Sequence, residues 1–371
     1  MKNKKIFVTQ PILPDIEIFS RGLKKIWDKK ILSNGGPYAQ LLEKKLTKKL
    51  KAKYLSIHGN GTLALDTAMK ALNLKGEVIV TPFSFPATAH IITQNNLTPV
   101  FCDINYEDMV INHNLIESKI TKKTTAILGV HVYGNPCNVE GISKISKKYN
   151  LKVIYDGAHS FNSMYKDKPL SSFGDLTMHS FHATKLFNTA EGGAIICNSK
   201  KLHEKIEIYR NFGLENAEIK FPGLNSKMNE FNALLGIEVL KEYGKEVKKR
   251  RKVRKFYESN LKNVDGLTIN KVEKNCTDSF QYFVIRIDKE LFGSSRDEVH
   301  QKLLSNNIFA RRYFYPLMSS YPHYKNLKSS QKRNLPIAHK VENEVLSLPF
   351  YGDLSEYELT RISKIILECK K

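Results

Sequence analysis

From about residue 50 to residue 200, short apolar runs alternate with stretches of helical spacing, and this alternation constrains the fold more than any other feature of the chain. The runs "KYLSIH", "EVIVT", "TPVFCDI", "AILGVHV", "KVIYD", "GDLTMHSF" and "GAIICN" each have the length of a strand. After "GNGT", the residues Leu65, Ala68, Met69 and Leu72 keep the spacing of one buried helix face, and "VEGISKISKKYN" reads as a further helix. Strands alternating with helices imply a largely parallel sheet with helices on both faces. Ligands of such sheets sit beyond the carboxyl ends of the strands.

Past Glu238 the texture changes. A lysine-rich helix over roughly Leu240 to Leu261 leads to "SFQYFVIRI" as a strand, "RDEVHQKLLSNN" as a helix and "SEYELTRISKIILECK" as a closing helix. With 371 residues there is room for two compact units. The reading is an α/β chain with a large domain over 1–245 and a smaller C-terminal α+β domain over 246–371. The first thirty residues pack against one of the two.

Several function classes fall away. The longest apolar runs, such as "AILGV", are too short to cross a bilayer. The start, "MKNKKIFVTQPILPD", lacks the apolar core and cleavage site of a signal peptide, so the expectation is a cytoplasmic protein with no membrane partner. Five cysteines without repeated spacing suggest neither a disulfide framework nor a zinc site, and no ligand pair completes a metal set with His131 and Cys137. The net charge of +22 admits two readings: a surface for nucleic acid or anionic membrane, or a lysine-rich chain with at most an anionic small substrate. The densest run, "KEVKKRRKVRKF" (Lys245 to Phe256), reads as the solvated face of a helix. No nucleic-acid signature interleaves aromatics with it, so no nucleic-acid partner is expected.

The strand ends carry the chemistry. "HGNGT" (His58 to Thr62) follows a strand and opens a helix, whose N-terminus can hold an anion; alone it is as well read as a tight turn. Gly59, Gly61 and Ala64 also fit a dinucleotide fingerprint. That fingerprint needs an acid about 20 residues on, and "VTPFSFPATAH" offers none before Asp103, so a nicotinamide enzyme is disfavoured. Asp156 ends an apolar strand in "IYDGAHS", three residues before His159. Lys185 sits in "SFHATKLFNTAEGGAI", a turn between two strands, with Ser180 before it and Gly192-Gly193 after it. Each piece alone is ordinary, since a carboxylate can cap a turn and a lysine is usually solvated. Together, a lysine, a distant aspartate and an upstream anion cradle form the constellation of a pyridoxal phosphate enzyme, in which the lysine forms a Schiff base and the acid faces the ring nitrogen.

The stretches "SFHATK…EGGAI", "YDGAHS", "GNGTLAL" and "PFSFPATA" together resemble the sugar aminotransferases of the DegT/DnrJ/EryC1/StrS family. The resemblance extends over nearly the whole chain, through "VTQPILPD", "FPGLNSKMNEFNALLG" and "LSLPFYGDLSEYEL". It implies the fold type I architecture of pyridoxal phosphate enzymes, like that of aspartate aminotransferase. It also implies a residue-by-residue assignment. Lys185 is the Schiff-base lysine and proton carrier, and Asp156 the partner of the pyridine nitrogen. His159 lies near the cofactor's phenolic oxygen, where the family usually has glutamine; a histidine there can donate a hydrogen bond and can also titrate near neutral pH. Gly61, Thr62 and Ser180 hold the phosphate, and Phe85 stacks on the ring. Asn225 reaches the phosphate of the neighbouring subunit, which implies a homodimer with shared sites. Lys227 stands where the family often has arginine, and Arg312 and Tyr313 lie in the stretch that shapes the sugar-nucleotide pocket.

Within the family, "SFHATKLFNTAEGGAI", "KMNEF" and "NIFARRYFYPL" are similar to members acting on C4 of a dTDP-linked sugar. The implied reaction moves an amino group from glutamate, by way of pyridoxamine phosphate, to a nucleotide-linked 4-keto-6-deoxysugar destined for a surface polysaccharide or glycan. Amination at C3 is the alternative.

Overall fold

The computed structural model describes residues 4–371; the basic start discussed above begins in residues 1–3, outside the described ones. Seven strands form the main sheet, in the spatial order Tyr54–His58, Gly193–Cys197, Leu176–Ser180, Lys152–Asp156, Thr124–Val130, Glu77–Val80 and Thr98–Phe101. Gly193–Cys197 runs antiparallel to both neighbours, and every other pairing is parallel. Val78, Ile79, Val80, Ala126, Ile127 and Leu128 are wholly buried, as a sheet covered on both faces requires. In the helix Gly61–Ala71, Ala64, Leu65, Ala68 and Met69 are buried as their spacing demands, while Leu72 ends it. Burying Leu65 or Met69 contributes roughly 1.5–3 kcal/mol each, so a charge at either position would detach the helix from the sheet.

The topology gathers three expected site positions at one edge. Asp156 ends its strand, Ser180 ends the next, and the turn bearing Lys185 joins Ser180 to Gly193. Gly193 pairs with both Ser180 and His58. A Cβ on Gly193 would lie 2.8 Å from the Gly61 backbone nitrogen, so only glycine lets the helix start come this close.

A second, antiparallel sheet holds Leu267–Ile269, Phe283–Ile287 and Val345–Leu348. Helices Arg296–Ser305 and Glu356–Leu367 accompany it, each opened by a reciprocal serine–glutamate cap, Ser295 with Glu298 and Ser355 with Glu358. The long helix spans Glu230–Leu261, starting ten residues before the expected Leu240 because Asn229 caps it through the Asn232 amide at 2.9 Å. The expected domain division at 245/246 falls inside this helix. At the N-terminus Ile6–Phe7 pairs in parallel with Ile308–Phe309, which seats the start of the chain against the later unit.

Two expectations change in detail. "SFQYFVIRI" becomes a strand only at Phe283, because Ser279 to Tyr282 turn towards the edge of the main sheet. The basic run is not solely a solvated face. Lys245, Lys248, Lys252 and Lys255 are exposed, but Arg250 is wholly buried and pairs with Glu246 at 2.7 Å. No helix among the described residues is long and apolar enough to cross a membrane.

Candidate active site

A cavity of about 580 Å³ opens at the strand edge. Of the residues expected there, Gly61, Thr62, Phe85, Asp156, His159, Ser180, Lys185 and Tyr313 line it. Asn225, Lys227 and Arg312 do not. Arg312 donates to Asp297 at 3.1 Å and lies over the Tyr315 ring. Lys227 donates to Asn211 at 2.7 Å and, with Phe212, lines a separate cavity of about 640 Å³; the Asn225 backbone bridges to that of Asn211.

Asp156 is buried. Its Oδ2 accepts from the Thr88 hydroxyl at 3.0 Å and its Oδ1 from the Ala158 amide at 3.0 Å. Both bonds favour the charged form, as does the Lys185 amine, yet burial outweighs them and pushes the carboxyl above its ordinary range. A further cation in the cavity would supply what this carboxylate lacks.

Lys185 is half-buried, its Nζ 5.8 Å from the centre of the Tyr282 ring. Burial lowers its pKa to about 8, against the opposing pull of Asp156. A substantial part of the amine is therefore neutral near physiological pH, the form that acts as nucleophile or base.

His159 is packed between rings. Phe314 stacks on it at 5.7 Å and Tyr282 meets it edge-on at 5.0 Å. Its Nδ1 accepts from the Tyr133 amide at 3.2 Å, so in the neutral ring the proton is on Nε2, free to donate. Burial first, and then the Lys185 charge, hold its pKa well below the ordinary histidine value. The titration near neutral pH that a histidine here admits is thereby suppressed.

At the cavity mouth the Asn60 side chain accepts from the Leu63 amide at 2.8 Å, and the Gly61 and Thr62 amides at the start of the helix have no intrahelical partner. Ser180 lies against Gly61, with its Cβ 3.1 Å from where a Gly61 Cβ would be. Two amides, a hydroxyl and a helix N-terminus make a cradle for a dianion. Phe85 is 59% exposed although it lines the cavity, which leaves its ring available to a planar ligand.

Sequence reasoning missed Thr88, Tyr133, Gln281, Tyr282 and Phe314. Thr88 lay inside the quoted "PFSFPATA", one helical turn beyond Phe85, so a helix starting at Pro86 was its available signal. The other four reach the site from distant stretches, through contacts that no local spacing encodes.

A model of the DegT/DnrJ/EryC1/StrS aminotransferase family matches residues 16–367. The chain is 44% identical over 368 residues to the dTDP-4-amino-4,6-dideoxy-D-glucose transaminase of Shigella dysenteriae, covering 99% of this chain and 100% of that protein. It is 43% identical over 371 residues to the Escherichia coli protein of the same name, with 99% of each covered. Among solved structures, it resembles DesI in the presence of its TDP-sugar product, with a TM-score of 0.94 at 28% identity over 98% of this chain and 93% of that one.

Proposed function

The chain belongs to the DegT/DnrJ/EryC1/StrS aminotransferase family, and from that premise we propose that it transfers an amino group from glutamate to C4 of a dTDP-linked 4-keto-6-deoxyglucose, with pyridoxal phosphate as cofactor. One observation carries the chemistry: a buried carboxylate, Asp156, and a neutralisable amine, Lys185, face a single cavity that has a free helix N-terminus at its mouth. The full-length likeness to two relatives named for C4 products supports that position over C3.

The side chains fit the cofactor. Burial leaves Asp156 incompletely compensated by Lys185, and a protonated pyridine nitrogen would provide the further positive charge. The His159 Nε2 proton suits a phenolic oxygen, the exposed Phe85 face suits a ring, and the cradle of Gly61, Thr62 and Ser180 suits a phosphate. Pyridoxal phosphate held there would supply an electron sink and an amino-group carrier. The protein's own groups do the rest. Asp156 would keep the ring nitrogen protonated, and His159 would donate from Nε2 without changing charge. Lys185 provides the amine of attachment and, when free, moves a proton at Nζ. The surrounding rings of Tyr133, Tyr282 and Phe314 exclude water from that transfer.

Asn225 and Lys227 lie away from this chain's cavity, beside the exposed Phe212 and Leu214, which supports a homodimer in which a second copy covers that face and shares its site. Arg312 and Tyr313 remain our candidates for contact with the sugar nucleotide, Tyr313 from the cavity wall and Arg312 after release from Asp297. Nucleotide sugars and glutamate are intracellular metabolites, which supports a cytoplasmic setting.

The decisive experiment incubates the purified enzyme with pyridoxal phosphate, glutamate and dTDP-4-keto-6-deoxyglucose, and identifies the product by mass and NMR. A C4 amine with an equivalent of 2-oxoglutarate is expected. A C3 amine, or turnover only with another nucleotide, would redirect the substrate assignment; no amine from any keto-sugar would reject the reaction.

A further inference from the structure

The basic run Lys245 to Phe256 is not accounted for by the reaction. Two of its arginines turn inward from the long helix. Arg250 Nη1 donates to the Phe280 carbonyl at 3.0 Å, and Arg254 Nη2 reaches the Tyr282 carbonyl at 3.5 Å. Arg250 is fixed by Glu246 at 2.7 Å, and Arg254 by Asp278 at 2.7 Å. These bonds hold the residues on either side of Gln281.

Gln281 is buried and makes two side-chain bonds into the site turn. Its Oε1 accepts from the Leu186 amide at 2.8 Å, and its Nε2 donates to the Thr184 carbonyl at 3.1 Å. Those are the peptide groups immediately before and after Lys185. One planar amide thus clamps both flanks of the lysine, while the next residue, Tyr282, presents its ring to Nζ. This explains why Ser279 to Tyr282 leave the strand that follows: they span from the later sheet to the turn of the main one.

We propose that Gln281 is a positioning residue for Lys185, fixing the two peptide groups beside it so that Nζ stays inside the cavity and poised for proton transfer. The inference rests on Lys185 being the reactive amine. Around that amine stand Asp156 from the strand end, Tyr282 and His159 from the walls, and Tyr313 from the later unit. A turn released from the clamp lets Nζ leave these neighbours for water, where it behaves as an ordinary lysine.

The test uses Gln281→Met, similar in length but without the amide, and Gln281→Asn, which keeps the amide one methylene short. The first readout needs no cofactor. Cofactor-free protein is labelled with a limiting amount of acetic anhydride across pH 6.5 to 10.5, and acetylation at Lys185 is read by mass spectrometry against surface lysines. In wild type, Lys185 should titrate near 8. In Gln281→Met its midpoint should move up, with labelling at pH 8 falling at least about threefold relative to surface lysines, and Gln281→Asn should lie between. With cofactor and substrates, kcat should fall at least about tenfold in Gln281→Met while KM for the sugar nucleotide stays within about twofold. If Gln281→Met does not fold, Gln281→Asn carries the test alone. A folded variant of either kind with the wild-type Lys185 midpoint and kcat, differing only in melting temperature, overturns the proposal. Because labelling involves no pyridoxal phosphate, loss of the cofactor reading would show as a colourless wild type, separately from this result.

Discussion

The Thr88 hydroxyl donates to Asp156 Oδ2 at 3.0 Å, across the boundary between a helix and the strand end that it caps. Thr88 is itself joined to Ser84 at 2.9 Å, and its helix starts directly after Phe85. One short segment therefore both presents the exposed ring and aims the carboxylate. The two contacts expected for the cofactor, one on the ring face and one at the ring nitrogen, are both set by this piece of chain.

Removing that hydroxyl should weaken the cofactor more than the fold. Thr88→Val keeps the shape and leaves Asp156 with the Ala158 amide alone. A hydrogen bond to a charged group contributes about 1.5–3 kcal/mol, so pyridoxal phosphate affinity should drop by about tenfold or more, read by fluorescence titration. Unchanged affinity would mean that Asp156 needs no such support.

The carboxylate itself should be a burden to the cofactor-free protein. Burial raises the Asp156 pKa above its unfolded value of 3.8, so the folded state holds the proton more tightly. The cost of the charged form is absent below 3.8 and complete once pH exceeds the folded value. Asp156→Asn should therefore raise the melting temperature of cofactor-free protein at pH 8 by about 2 °C, while lowering cofactor affinity. A melting temperature that falls would show that the charge is already satisfied.

Lys185 shows the opposite pH course. Its folded pKa of about 8 lies below the ordinary 10.5, so the unfolded chain binds the proton more tightly between those values. Its destabilising effect is complete below about 8 and fades as pH rises through 10.5. Lys185→Met should stabilise the cofactor-free protein at pH 7 and hardly at all at pH 10.5, and should cut turnover by at least about a thousandfold. Equal stabilisation at both pH values would show that the amine is not buried in its charged form.

What could be read from the chain and what could not divide along a physical line. The strands of the main sheet were legible because parallel strands buried on both faces need continuous apolar runs, and "AILGV" or "KVIYD" have little other use. Asp156, Lys185 and the Gly61 turn were legible because each sits at a strand end, where the topology forces them together. Arg250 and Arg254 were not, since on composition they are two cations among eight basic residues in "KEVKKRRKVRKF", and only the packing of the later sheet turns them inward. Gln281 and Thr88 were hidden for a related reason: their roles are defined by a partner about a hundred or about seventy residues away.

His159 should behave as a neutral donor. Its folded pKa lies below 6.5, so the unfolded chain takes up the proton first, and stability falls as pH drops through 6.5. His159→Gln keeps a donor and removes that acid sensitivity; kcat should stay within about fivefold, with no step in the pH–rate profile between 6 and 8 lost. His159→Phe keeps the ring packing and loses the donor, and should cost about tenfold to a hundredfold. Equal activity of the two variants would show that the Nε2 proton does nothing.

Arg250 should matter to stability more than to chemistry. Arg250→Ala leaves the Glu246 carboxylate with only the Gly352 amide and the Phe280 carbonyl without its guanidinium donor, and breaking a buried pair from one side costs about 3–5 kcal/mol. Urea unfolding should show that loss. A change below about 1 kcal/mol would mean that water or another side chain replaces the guanidinium.

Sharing of the site between copies makes a sharper demand. Asn225 and Lys227 lie outside the cavity of their own chain, beside exposed apolar side chains that a second copy would cover. Suppose Asn225 serves the partner's cofactor. A mixed dimer of Lys185→Ala with Asn225→Ala then contains one site that lacks both groups and one site that has both. Random exchange makes half of the dimers mixed, so mixing two nearly inactive variants should restore about a quarter of wild-type activity. If Asn225 acted within its own chain, each site of the mixed dimer would still lack one group, and activity would not recover. Measuring kcat after unfolding and refolding the two variants together separates these outcomes, and size-exclusion chromatography with light scattering confirms that the species assayed is the dimer.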